Sequence, residues 1–237
     1  MEKRLDFAHE YPPFGSGIRE LAQILSEQAP PSQNSFWAHQ GTAVWQTSND
    51  VTAAASKVLE KIDLDPCAAL DPSKHFAWKN IALPQNGLTE DWSKYGTNFF
   101  INPPFGMSFV KDTICLSAKE YGDLVKEHGE QTGFRRQTIL DWANKTVEEG
   151  RNMEGIWLSK ADISTKAIQV ILRNATAVCY PSKRLNYIDA NTGQIVKGAS
   201  FASLLAYFGR FPEDFYKHFK SFGTIQTPFQ QHRQLTT

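Results

Sequence analysis

An apolar run, Phe100-Ile101, leads straight into Asn102-Pro103-Pro104-Phe105-Gly106. These residue types at this spacing suit one task, holding and polarising a planar amine. Proline has no N–H but keeps its carbonyl, and its ring fixes φ, so consecutive prolines hold acceptors in a stiff loop. The Asn102 side-chain oxygen and the Pro103 carbonyl then converge as two acceptors for the two hydrogens of an exocyclic NH2 group. Accepting both polarises the nitrogen and turns its lone pair toward an electrophile. Phe105 adds a flat face for a planar base, a contact worth about 1–3 kcal/mol. The same residues also read as a proline-rich turn with an exposed aromatic. The strand before them favours the chemical reading, because ligands of open α/β sheets sit beyond the carboxyl ends of strands.

A second candidate is Ile62-Asp63-Leu64-Asp65-Pro66-Cys67-Ala68-Ala69, another strand running into a loop. A carboxylate there can pair with an ammonium group or bond ribose hydroxyls, and the small residues let a backbone come close to a ligand. Asp63 and Asp65 equally read as a solvated strand end. Cys67 reads as a small packed residue rather than a nucleophile, since no histidine accompanies it.

The elements that must position these loops alternate short apolar runs with helical periodicity, the pattern of an α/β fold with a parallel sheet. Apolar spacing predicts helices over 52–61, capped by Asn49 or Asp50, and over 138–150 and 163–173. It predicts strands over 62–65, 97–101, 155–158 and 176–180, and late strands over 185–188 and 202–208, open to an antiparallel arrangement, flanking Asn191-Thr192-Gly193. The interval between Asp65 and Asn102 is short for two full βα units, so the sheet must be compact there. Residues 1–35 read as an extension, with Ile18, Leu21, Ala22, Ile24 and Leu25 at helical spacing between breakers. Residues 36–225 read as the main domain and 226–237 as a flexible tail.

Composition narrows the function classes. The 237 residues carry 25 Lys+Arg and 25 Asp+Glu, with 41% hydrophobic and 21% charged residues. That is globular and excludes disordered, collagenous and coiled-coil chains. The zero net charge excludes coating nucleic acid by charge alone, so any such binding needs a local patch. No apolar run approaches the length of a membrane span. The start, Met1-Glu2-Lys3-Arg4, lacks an apolar signal core, so a cytoplasmic protein is expected. Cys67, Cys115 and Cys179 are too widely spaced for a CxxC zinc site, and the histidines are scattered, so no metal is expected.

Asn-Pro-Pro-aromatic resembles the catalytic motif of amino-methyltransferases that use S-adenosylmethionine. The order of the other pieces is similar to the phage-type DNA adenine methyltransferase (Dam-like) family. Those pieces are Trp45-Gln46-Thr47, Ile62-Asp63-Leu64-Asp65-Pro66-Cys67-Ala68, Asn86-Gly87-Leu88 with Trp92, the helix around Trp142, and Arg184-Leu185-Asn186-Tyr187 with Ala199-Ser200-Phe201. The resemblance implies a Rossmann-like fold, a mostly parallel central sheet with flanking helices. It implies methyl transfer from S-adenosylmethionine, without a metal, to the exocyclic amine of an adenine flipped out of DNA. Asn102, Pro103, Pro104 and Phe105 would be catalytic. Trp45, Thr47, Asp63, Asp65, Pro66, Cys67 and Ala68 would line the cofactor, although alanines replace the usual Gly-rich loop. The cofactor's adenosine is left among Asn80, Asn86, Asp91 and Trp92.

Residues 107–137 are longer than the family pattern suggests and are expected to form an inserted helical segment. It offers Phe134, Arg135 and Arg136 as DNA contacts, and equally reads as a solvated helical pair. Lys183 and Arg184, with Lys197, are a second candidate patch. Two other functions remain open. One is methylation of a different amino or amide nitrogen, on an RNA base or a protein glutamine. The other is a catalytically inactive nucleic-acid-binding phage protein of the same fold. A phage or prophage origin would place the protein in the bacterial host cytoplasm.

Overall fold

The structure, a computed structural model, describes residues 45–189 and 194–227. The expected extension over 1–35, the Asn191-Thr192-Gly193 turn and tail residues 228–237 lie outside them. In chain order the elements are β1 (Trp45–Thr47), α1 (Asn49–Val58), β2 (Leu64–Asp65), β3 (Lys79–Asn80), β4 (Asn98–Ile101), β5 (Met107–Lys111), β6 (Ile114–Ser117) and α2 (Ala118–His128). They continue with β7 (Arg135–Thr138), α3 (Ile139–Glu149), β8 (Glu154–Lys160), α4 (Lys166–Asn174), β9 (Ala177–Pro181) and β10 (Tyr187–Asp189). The last are β11 (Ile195–Val196), β12 (Ser203–Phe208), α5 (Pro212–Phe219) and β13 (Gly223–Gln226), so Gln226 closes a strand rather than opening the tail.

A seven-stranded sheet in the order β13-β9-β12-β8-β4-β2-β3 forms the middle layer. β3, β2, β4 and β8 are parallel neighbours. β12 is antiparallel to both β8 and β9, so β9 points the same way as β8. β13 is antiparallel to β9. The sheet is therefore mixed, where the sequence reading expected a mostly parallel one. The cause is the route from β9 to β12, which passes through β10 and β11 instead of a helix. An antiparallel neighbour needs no helical crossover.

Both faces of the sheet are covered, which is why β4, Asn-Phe-Phe-Ile, is buried along its whole length. Side chains alternate across a strand. Phe100, Ile156, Leu158 and Leu205 pack with Val51, Ala55 and Val58 of α1 and Phe215 and Phe219 of α5. Phe99, Ile101, Trp157 and Leu204 pack with Trp142 and Ala143 of α3 and Ile168 and Ile171 of α4. α3 forms where the apolar spacing predicts it, and a reciprocal capping box between Thr138 and Asp141 fixes its start. α1 begins earlier than expected, with Ser48 rather than Asn49 or Asp50 at its N-cap. α4 begins later, because Ser164 and Thr165 bond back to Asp162 in a turn that leaves Ile163 outside.

Between β2 and β4 the chain makes only β3 and two short 3-10 turns, Pro72–Lys74 and Trp92–Lys94, in keeping with the expected compactness. Residues 107–137 correct the helical expectation. They form an antiparallel sheet, β6-β5-β7, with the single helix α2. Helical periodicity exists only in α2, which a Ser117–Glu120 capping box starts. Ahead of it, Lys111 pairs with Ile114 across a two-residue turn, with Asp112 at φ 49. Such tight hairpins need positive φ, and the aromatic and branched residues on either side favour strands.

Candidate active site

The parallel strands end on one edge of the sheet. Asn80 closes β3, Asp65 closes β2, Asn102 follows β4 and Lys160 closes β8. Register ties these ends together: Asp65 lies opposite Asn80, Ile101 opposite Trp157, and Lys160 opposite Ser203, the first residue of the reversed β12. Lys183 and Arg184 follow the end of β9, which points the same way, and both are exposed on that edge.

The Asn102-Pro103-Pro104-Phe105 loop therefore stands beyond the middle of the sheet. Gly106 has φ +99, a region that favours glycine, and lets the loop turn into β5. Its carbonyl accepts the Ile139 N–H at 2.9 Å, which ties the loop to the start of α3. Phe105 is half-buried in an aromatic corner. Its ring meets Phe201 edge-on at 5.3 Å and Tyr187 edge-on at 6.3 Å. Tyr187 shares a hydrogen bond with Ser203 at 2.9 Å. The Lys160 ammonium sits over the Phe105 and Phe201 rings, 5.4 and 4.7 Å from their centroids. Lost hydration there pulls the Lys160 pKa below its ordinary value.

Asp63 and Asp65 fall on different sides of the question. Burial pushes the Asp63 pKa up, but hydrogen bonds from Thr97 and Lys61 outweigh it and hold the carboxyl below its ordinary value. Its carboxylate accepts the Thr97 N–H at 2.9 Å and pairs with Lys61 at 3.0 Å. Asp63 is thus spent in fastening the start of β4, away from the strand-end row. Asp65 is the reverse. It is buried, accepts the Cys67 N–H at 3.0 Å and has no cation beside it among the described residues. Burial raises its pKa to about 7. The Cys67 thiol is raised by burial, by Asp65 and by Cys115, so it stays a neutral thiol and not a nucleophile. The Ala68 N–H is spent on the Ile81 carbonyl.

The loop at Pro66 explains why Asn86-Gly87-Leu88 and Trp92 accompany it. A Cβ at Gly87 would lie 2.0 Å from the Pro66 oxygen. Trp92, fully buried, donates its indole N–H to the Gly87 carbonyl at 2.7 Å, and Asn86 accepts the Leu88 N–H at 3.1 Å. Asn86 and Trp92 thus brace the loop at Pro66, and Asp91 caps the following turn. Gly87→Ala meets backbone that cannot retreat. We expect a cost of about 1–3 kcal/mol, read as a fall in Tm of roughly 2–12 °C in a thermal melt. An unchanged Tm would contradict this packing.

Several buried polar atoms near the edge have no partner among the described residues: Gln46 Nε2, Thr47 Oγ1, Ser48 Oγ, Asn80 Oδ1 and Gln137 Nε2. Thr47 pairs in register with Tyr187, which brings the β1 end to the Phe105 corner. The Trp45 side chain lies outside the described part of the structure. Phe134, Arg135 and Arg136 separate. Phe134 packs edge-on against Tyr121 at 5.2 Å with Lys111 over its ring, while Arg135 and Arg136 are exposed. The sequence reading missed Lys160, Tyr187, Phe201 and Ser203 as one group. Tyr187 and Phe201 lay inside recognised pieces, but only strand pairing brings them to Phe105.

Among the described residues no helix is long and apolar enough to cross a membrane. No curated protein and no solved structure matches the chain. A family model described as DNA N-6-adenine-methyltransferase (Dam) matches residues 36–227, which include the strand-end row and the aromatic corner. The chain belongs to the DNA N-6-adenine-methyltransferase (Dam) family.

Proposed function

We propose that the protein transfers a methyl group from S-adenosylmethionine to the N6 amine of an adenine flipped out of DNA. The observation that carries this reading is the Asn102 to Phe105 loop standing at a strand end beside Asp65, which is buried and has no cation beside it among the described residues. We read the sheet as a Rossmann-like methyltransferase sheet in which β12 is reversed between β8 and β9.

The donor set fits S-adenosylmethionine. Asp65 is a buried carboxylate in need of a cation, and the cofactor's methionine end carries an ammonium. Thr47 and Ser48 offer buried hydroxyls without partners at the start of α1, suited to a carboxylate. Asn80 offers an unpartnered oxygen beside Asp65, suited to a ribose hydroxyl. Pro66, Cys67 and Ala68 supply the close backbone. When bound, S-adenosylmethionine supplies a methyl group already activated on a sulfonium.

The chain's own residues then have little bond chemistry to perform. Asn102 Oδ1 and the Pro103 carbonyl accept the two amine hydrogens and aim the nitrogen lone pair. Phe105, backed by Phe201 and Tyr187, gives the base a wall, and a base stacking under Lys160 displaces its ammonium from the ring. Catalysis comes from orientation and preorganised acceptors. Extruding the base costs a few kcal/mol, which contacts to the strand must offset. Arg135 and Arg136, together with Lys183 and Arg184 on the strand-end edge, are exposed cations suited to phosphates.

Incubating the protein with tritiated S-adenosylmethionine and duplex DNA, RNA or protein tests the reading. Label is expected in DNA, and label only in RNA or protein would overturn it. Phe105→Ala should lower kcat/KM on a DNA substrate about tenfold to a hundredfold, whereas Phe105→Trp retains most activity. Equal loss in both variants would deny the stacking role.

A further inference from the structure

We propose that Gln137, on the inserted sheet, reads the target adenine by donating a hydrogen bond to one of its ring nitrogens. This inference rests on the adenine-methylating reading above.

Gln137 pairs with Ser108, and its neighbour Thr138 pairs with Met107, the residue after Gly106. β7 therefore runs along the exit of the Asn102 to Phe105 loop, and the Ile139 N–H closes onto Gly106. Strand alternation gives the inserted sheet two faces. One carries Phe109, which stacks on Tyr121 of α2 at 4.0 Å. The opposite face carries Ser108, Val110, Cys115, Ser117, Arg135 and Gln137. No helix of the insertion covers that face, yet Ser108, Val110 and Gln137 are buried. β5 starts at Met107, directly after Gly106, so the face begins at the exit of the Asn102 to Phe105 loop.

Gln137 is only 5% exposed, and its Nε2 has no partner. A buried amide donor without an acceptor costs stability and normally finds a partner. In a strand beside the amine-holding loop, the missing partner is a group that enters with the substrate. Asn102 and Pro103 use the two hydrogens of N6, so the acceptors left on adenine beside N6 are N1 and N7. A carboxamide N–H is a donor that either ring nitrogen can accept.

The test uses the full chain, oligonucleotides in which the target adenine is replaced by 1-deazaadenine or 7-deazaadenine, and Gln137→Met, which keeps length but removes the donor. The parent should lose about tenfold to a hundredfold in kcat/KM on one of the two analogues. Gln137→Met should lose a similar factor on adenine and show no further loss on that analogue. Its affinity for S-adenosylmethionine should stay within about twofold, and its Tm should be equal or higher, since an unsatisfied amide has gone. Independent, multiplying losses from variant and analogue would overturn the proposal, as would a parent indifferent to both analogues. A fall in cofactor affinity would overturn it too, because Gln137 would then face the cofactor. A parent that methylates no adenine in DNA would instead sink the functional reading itself. If Gln137→Met fails to fold, the parent's response to the two analogues decides alone.

Discussion

Asn102→Ala is expected to lower methyl transfer to DNA by about a hundredfold to a thousandfold, the scale of removing one preorganised polar group from a transition-state site. The binding of S-adenosylmethionine should change by no more than about twofold. Asn102 stands after β4, the proposed cofactor contacts after β2 and at the start of α1, so the two effects separate. In the proposed site the side-chain oxygen is one of two acceptors for the amine, and Pro103 cannot replace it. Its loss should fall on kcat more than on KM, because the polarised amine gains most as it attacks. Single-turnover transfer and calorimetric titration of the cofactor read the two quantities. An alanine variant with parental kcat would contradict the role given to this residue.

Asp65→Asn is expected to weaken cofactor binding by about a hundredfold or more, the cost of removing one partner of a buried ion pair. The Cys67 N–H can still bond to the amide oxygen, so the loop keeps its shape. The same substitution has an opposite effect on stability. The folded-state pKa of Asp65, about 7, lies above the ordinary carboxylate value of about 3.9. The folded chain therefore holds a proton that the unfolded chain releases. The stability this contributes is full below about pH 4 and is lost as pH rises through about 7. Asn cannot ionise, so the variant should lose less stability than the parent as pH rises from about 4 to about 7. Binding of the cofactor's ammonium favours the carboxylate, so parental affinity should rise with pH across the same window. Titrations and thermal melts at several pH values check both. Unchanged affinity in Asp65→Asn would remove Asp65 from the cofactor site.

The loop after β4 was legible because its signals are local. An apolar run followed by two prolines leaves few conformations, and β4 ends where that run ends. The helix at Trp142 was legible for the same reason, with apolar spacing and a Thr138–Asp141 cap agreeing. Asp63 and Asp65 could not be separated by type or spacing. Their difference lies in Thr97 and Lys61, which reach one carboxylate and not the other. The inserted sheet was misread because its strands are only four or five residues long, while α2 alone carried a visible period. Arg135-Arg136-Gln137-Thr138 looks like a solvated segment in sequence. Only its pairing with β5 buries Gln137 and leaves the arginines outside. The corner formed by Phe105, Lys160, Tyr187 and Phe201 joins residues far apart in the chain. It follows from the order of strands in the sheet, which no local signal in the chain records.

The central claim is that Asn102 and Pro103 hold the amine of an adenine for methylation. It is tested most directly by expressing the chain and its Asn102→Ala variant in a bacterium lacking DNA methylation and measuring N6-methyladenine in digested genomic DNA by mass spectrometry. The account predicts N6-methyladenine with the parent chain and background levels with the variant. Methylated cytosine in place of adenine, or equal N6-methyladenine from both proteins, would contradict it.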